Sequence, residues 1–343
     1  MNSISSETKA DSNFWHNKNV LITGGAGFIG SSLSRMLCDM GAAVTILSEK
    51  NGSESALFHQ FDLGKRTELV EGDIRNWQFV RDLAAAGSFD MLFHLAAQSQ
   101  VTVAQEDPRG TFEVNIAGTW NLFEAFHQTS PTTSIVLAST VGVTGETTDE
   151  TFDESAPLAG VYPYEVSKAC AELISKSYCR TYDMPVGTLR FSNLYGPGDM
   201  NFRRIIPGTV RNVLKNTKPQ IRGNGQSVRD YLYIQDAVEA LLLLGQFLQS
   251  SDVAGQVFQV SSMSYVSILD LVKIILSLMQ QSQLGYEIVH NGVAEISQIK
   301  PSSEKIRNQL GWHPRFTLEQ GLKETIDWYQ KYSNQLVLGE QIK

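Results

Sequence analysis

The chain has 343 residues, 42% of them hydrophobic and 19% charged, which predicts about two folded domains and excludes a disordered chain. Its 28 basic and 36 acidic side chains leave a formal charge of −8, a poor match for a general nucleic-acid surface. Residues 1–18 are polar, mixed in charge and without the apolar centre of a secretion signal. They read as a flexible tail on a cytoplasmic protein.

From there strands and helices are predicted to alternate. Asn19 to Thr23 has the continuous apolar centre of a buried parallel strand. After a run of glycines, Ser31 to Met40 reads as a helix and Ala43 to Leu47 as a second strand. A helix from Asn76 to Ala86 leads to a strand from Met91 to Leu95, and a helix around Asn115 to Phe126 to a strand from Ser134 to Ala138. A helix from about Pro163 to Tyr182 and a strand around Val186 to Arg190 complete the series. This order predicts an α/β fold, a doubly wound parallel sheet with helices on both faces. Beyond Arg190 the sequence becomes rich in Gly, Pro and Asn, with helices near Pro207–Asn216, Gln235–Gln249, Ser267–Gln280 and Leu318–Tyr332. The expected division is a first domain of 19–190 plus about 226–255. A smaller, discontinuous α/β substrate domain takes about 191–225 plus 256–335. The apolar run Ala240 to Leu244 is too short to span a membrane. Cys38, Cys170 and Cys179 form no C-x-x-C pair, so neither a disulfide framework nor a metal site is expected, and buried free thiols are.

Thr23 to Gly30 links the first strand to the first helix and fits G-x-x-G-x-x-G through Gly24, Gly27 and Gly30. Glycine lets the backbone turn tightly and approach a pyrophosphate, and the N-terminus of the helix that follows offers N–H donors to the anion, with Phe28 and Ile29 among the expected cofactor contacts. The acid that holds an adenosine ribose is expected at the end of the second strand, where this chain has Ser48, followed by Glu49. NAD is favoured, with NADP left open. Asp73 and Ile74 suit an adenine-contacting turn, and Leu95, Ala96 and Ala97 supply small residues along the cofactor path. Tyr164 and Lys168 stand four apart on one helix face. A neighbouring ammonium lowers a phenol's pKa, which makes the pair a proton acceptor for alcohol oxidation beside a hydride acceptor; both residues are also expected to contact the cofactor, Lys168 through the nicotinamide ribose. Thr140, just after the Ile135–Ala138 strand, is placed to hydrogen-bond both the sugar hydroxyl and the Tyr164 oxygen.

Together these residues resemble the extended short-chain dehydrogenase/reductase family, in its nucleotide-sugar epimerase/dehydratase branch. The resemblance runs from about Asn19 to Tyr332. It also draws on His94 to Ala97, Asn115, Leu189 to Pro197, Arg229 to Ile234, Gly311 to Pro314 and Trp328-Tyr329. It implies a Rossmann-like sheet, a tightly held NAD(P), a nucleoside-diphosphate sugar as substrate, and Asn193 and Arg229 as ligands of its diphosphate. It also implies a homodimer built from the helices containing Ile116–Phe126 and Cys170–Tyr178, with no membrane or nucleic-acid partner. Gln220 to Arg222 would lie beside the nucleotide base.

Ser55 to Phe58, Glu71 to Arg75, Phe93 to Gln98, Glu106 to Pro108 and Pro163 to Leu173 look, within the branch, most like the CDP-glucose 4,6-dehydratases. Sugar 4,6-dehydratases carry an Asp and then a Glu or Lys directly after the Ser/Thr, to remove the C5 proton and expel the C6 hydroxyl. This chain has Val141 and Gly142 there. What remains suffices for C4 oxidation and return of the hydride to the other face, so a 4-epimerase is expected. The alternatives are a dehydratase whose base comes from elsewhere, with Glu165 and Glu146 as candidates, a 4-ketoreductase, and a dinucleotide-binding sensor without chemistry.

Overall fold

The computed structural model describes residues 8–50, 55–145, 151–248, 252–289 and 298–332. Glu146 lies outside them. Seven strands form the central sheet: β1 (Asn19–Thr23), β2 (Ala43–Ser48), β3 (Glu68–Glu71), β4 (Met91–His94), β5 (Ser134–Thr140), β6 (Val186–Phe191) and β10 (Val257–Val260). Their order is β10-β6-β5-β4-β1-β2-β3, and every pair is parallel. Strands β1 and β4 to β6 are buried along nearly their whole length, as their apolar runs require. The chain order reverses between β1 and β4, and the crevice beyond their carboxyl ends is where such sheets bind ligands.

β7 (Asn193–Tyr195), β9 (Val228–Tyr233) and β11 (Tyr265–Ser267) form a three-stranded sheet, and β8 (Gln220–Arg222) pairs with β12 (Glu287–Val289). Helices Ile205–Leu214 and Ile268–Leu278 pack beside them. Helix Ile234–Phe247 returns to the main sheet, against β5, β6 and the first-loop helix. No described helix is long and apolar enough to cross a membrane.

Two expectations need correction. From residue 8 onward the expected tail is docked. Ser12–Trp15 forms a helical turn, Trp15 is fully buried, and Ala10 N–H donates to Glu239 Oε1 at 2.7 Å. A large aromatic ring that reaches the core outweighs the polarity of its neighbours. The three cysteines are free but only half-buried.

Candidate active site

The glycine loop owes its shape to close backbone packing. Gly24 has φ +70°, and a Cβ there would lie 2.9 Å from Ala96 Cα, so the chain leaving β1 rests on the chain leaving β4. A Cβ on Gly30 would lie 2.3 Å from Gly24 O and 2.5 Å from Gly25 Cα. Gly27 is exposed and begins the helix Phe28–Asp39 with no side-chain cap and no acid in the first turn. The helix thus starts three residues before the sequence expectation and presents its first N–H groups, Phe28 and Ile29 included, to an anion. The loop fits the pyrophosphate of a dinucleotide.

Ser48 ends β2, half-buried, and its carbonyl accepts Gly72 N–H at 3.0 Å. Beside it, Arg75 bridges Asp73 (2.6 Å) and Glu49 (3.2 Å). The Arg75 hydrogen bond holds the Asp73 carboxyl below the usual carboxylate range. Buried Ile74 accepts Asn121 Nδ2 at its carbonyl, 3.0 Å. Leu95, Ala96 and Ala97 leave β4 half-buried.

Thr140 ends β5, and its Oγ1 accepts Gly142 N–H at 3.2 Å. Helix Pro163–Tyr182 packs across β5 and carries Tyr164 and Lys168. Lys168 is buried and donates to Ala138 O at 2.9 Å, which ties it to the same strand end. Burial pushes its ammonium down to about 8, against the opposing charge of Glu172. Glu172 is itself buried, accepting Ser139 Oγ–H at 2.5 Å and pairing with Arg190 at 2.8 Å.

The electrostatics of Tyr164 differ from expectation. Burial pushes the phenol up, Arg204 opposes that rise and Glu165 adds to it. Arg204 is the cation that opposes the rise of the phenol, while Lys168 donates to the Ala138 carbonyl. Asn115 sits in a π-helical turn, Glu113–Ala117, a distortion frequent at functional sites. Its amide donates to Gln98 O (3.0 Å) and Ser167 Oγ (2.9 Å), joining the segment after β4 to the Tyr–Lys helix.

Beyond the sheet lies a cavity of about 610 Å³ lined by Arg203, Arg204, Arg211, Lys218 and Arg222, with Phe202 and Gln220. No acid lines it. Arg204 is held at 3.1 Å by Asp199, whose side chain is 4% exposed. Arg211 stacks over the Phe202 ring at 4.2 Å. Gln220 and Arg222 thus face the cavity, whereas Asn193 and Arg229 lie on neighbouring strands β7 and β9 and are not among its lining residues. Asn193 is exposed and donates to Asp230 O at 3.1 Å, and Arg229 donates to Val228 O at 2.8 Å. The sequence reading missed Arg203 and Arg204. Two adjacent arginines ahead of the helix beginning Ile205-Ile206-Pro207 were the available signal.

Residues 21–325 match the family described as GDP-mannose 4,6 dehydratase. The chain belongs to that family. It lies within the extended short-chain dehydrogenases/reductases, in the nucleotide-sugar epimerase/dehydratase branch that its motifs resemble. Human dTDP-D-glucose 4,6-dehydratase is 30% identical over 92% of this chain and 90% of its own length. The solved dTDP-glucose 4,6-dehydratase of Bacillus anthracis, a complex with NAD, superposes with TM-score 0.82 at 27% identity, covering 92% of this chain and 98% of that one. The UDP-glucose 4-epimerase of Thermotoga maritima, solved with UDP-glucose, gives 0.83 at 25% identity over 92% and 99%. Both dehydratases and 4-epimerases are thus built on this fold.

Proposed function

We propose that the protein is an NAD-dependent nucleotide-sugar epimerase that acts through transient oxidation at C4 of a nucleoside-diphosphate hexose. One observation carries this reading. Thr140 and the Tyr164/Lys168 helix meet at the end of β5, while the next two residues, Val141 and Gly142, bring neither acid nor base. NAD is supported by the fit of the glycine loop and by the NAD-bound relative.

The cofactor, when bound, accepts hydride from C4 and returns it. The protein's part is proton handling and orientation. Tyr164 Oη takes the proton of the C4 hydroxyl, and Thr140 Oγ1 orients that hydroxyl by hydrogen bonding. Arg204 offsets the burial that holds the phenol protonated. Asp199 keeps the Arg204 guanidinium in place at the cavity wall. The cationic cavity suits the diphosphate and nucleoside, whose negative charge its guanidinium groups match. Asn193 and Arg229 are retained as diphosphate ligands at the strand ends beside it.

A second reading, a 4,6-dehydratase, is favoured by the Glu165 carboxylate packed against Gly142. Incubation with UDP-, CDP-, GDP- and dTDP-hexoses plus NAD, followed by mass-resolved chromatography, separates the two. A new product of unchanged mass supports the epimerase. A product lighter by one water establishes the dehydratase.

The proposal extends to a cytoplasmic homodimer. Trp120, 49% exposed on helix Gly118–Thr129, and Leu173, 56% exposed on the Tyr–Lys helix, present large apolar side chains to solvent on two helices that pack together. Sedimentation at micromolar concentration is expected to give twice the chain mass of 38.0 kDa. A monomer at that concentration rejects the dimer.

A further inference from the structure

Residues 141 and 142 lack the acid and base that an elimination at this site requires, yet the space beside Gly142 holds a carboxylate. A Cβ built on Gly142 would lie 3.5 Å from Glu165 Cγ, 3.7 Å from Glu165 Oε1 and 3.6 Å from Thr140 Oγ1. A Cβ on Gly160 would lie 2.6 Å from Glu165 Cβ. Two glycines thus make room for this side chain. Its other oxygen, Oε2, is fixed by the N–H groups of Val161 (3.2 Å) and Tyr162 (3.3 Å). That cap folds the carboxylate back along the first turn and leaves Oε1 on the side of Gly142 and Thr140. The proximity also reaches the phenol, which the Glu165 charge raises after burial has done so.

We propose that Glu165 is a further catalytic residue, a general base that removes and returns a proton on a carbon adjacent to the C4 carbonyl of the oxidised sugar. This rests on the C4-oxidation reading above. Once C4 is a ketone, its neighbouring C–H bonds are acidified. The Glu165 carboxylate takes the proton, and the C–H electron pair moves into the new carbon–carbon double bond. The carbonyl π pair moves onto the C4 oxygen, giving an enolate opposite Tyr164 and Thr140. Reprotonation from the Glu165 carboxylic acid reverses the step and restores the ketone. Between the two events the acid exchanges its proton with water. With one carboxylate and no second acid at 141 or 142, the enolate returns to ketone and water is not expelled.

The test runs the enzyme with NAD and the four nucleotide hexoses in D2O. Recovered sugars are analysed by mass and by proton NMR. The wild type is expected to place carbon-bound deuterium at C3 or C5. E165Q keeps one carbonyl oxygen, enough to accept both capping N–H groups, but cannot take a proton. It is expected to lower exchange by about 100-fold or more while C4 turnover stays within about tenfold. A purely capping role would lower both together. Wild-type C4 turnover without carbon-bound deuterium overturns the proposal and leaves the parent reading intact, as does undiminished exchange in E165Q. Absence of C4 turnover on every hexose overturns both.

Discussion

A phenol titrating near 10, and higher once buried, is a poor proton acceptor unless a cation faces it. Tyr164→Phe is therefore expected to lower C4 oxidation by about 10²–10⁴-fold, read as a slower appearance of NADH absorbance on mixing with NAD and substrate. Arg204→Gln removes the charge that holds the phenol down, so the ascending limb of kcat/KM against pH is expected to move to higher pH. An unmoved limb would show that Arg204 serves the diphosphate alone. At the ribose end, Ser48→Asp introduces the acid that repels a 2′-phosphate and hydrogen-bonds the NAD ribose. It is expected to raise the preference for NAD over NADP by tenfold or more in fluorescence titrations. The placement of Tyr164 and Lys168 on one helix and of Thr140 at the end of β5 was legible because it follows from local spacing. The charge of Arg204 acting on the phenol was not, since tertiary packing sets it between residues 40 apart; Glu165 was readable only as one of two candidate bases, and its folded-back placement beside Gly142 is again set by packing.

The glycine loop with its helix is the element most exposed to small changes. Gly30→Ala would force a Cβ to within 2.3 Å of a carbonyl oxygen and 2.5 Å of a backbone carbon. Neither is a flexible side-chain end that can move aside. The expected cost is about 1–3 kcal/mol of stability, with the rise in Tm on adding NAD lost or much reduced. Thermal melts with and without NAD measure both, and an undiminished NAD shift would reject a phosphate-binding role for the loop. The long Tyr–Lys helix was predicted at its observed bounds, Pro163–Tyr182, because proline at its start and a long polar–apolar pattern mark it. β3, Glu68–Glu71, and β10, Val257–Val260, were missed. Each has four residues, and edge positions do not demand an unbroken apolar run.

At the scale of the whole molecule, His94 ties the centre of the sheet to its flank. Its ring nitrogens meet Thr23 Oγ1 at 2.8 Å and Thr119 Oγ1 at 2.9 Å. Burial, with the Lys168 charge, pushes its pKa down to about 3 from 6.5. The unfolded chain therefore takes up a proton near pH 6.5 that the folded one refuses until about 3. Stability must fall as pH drops through that window, by about 2 kcal/mol between pH 6.5 and 4.5 from this group alone. Urea melts at the two pH values are expected to show a smaller fall for His94→Gln than for the wild type. Equal falls would place the acid sensitivity elsewhere. The doubly wound order was readable from alternating strands and helices. The docking of residues 8–18 was not, because Trp15 packs beside Phe93 and close to Gly245, partners far along the chain.

That last arrangement has a temporal side. Trp15 leaves the ribosome some 230 residues before Gly245, the position in helix Ile234–Phe247 against which its ring closes. At ordinary translation rates of about 5–20 residues per second, the indole waits roughly 10–45 seconds for that surface. Thr8 waits longer, since its N–H bonds the carbonyl of Gly311. During synthesis the leading segment is thus an unsheltered apolar handle, open to proteases and chaperones, and it becomes part of the fold only after most of the chain has emerged.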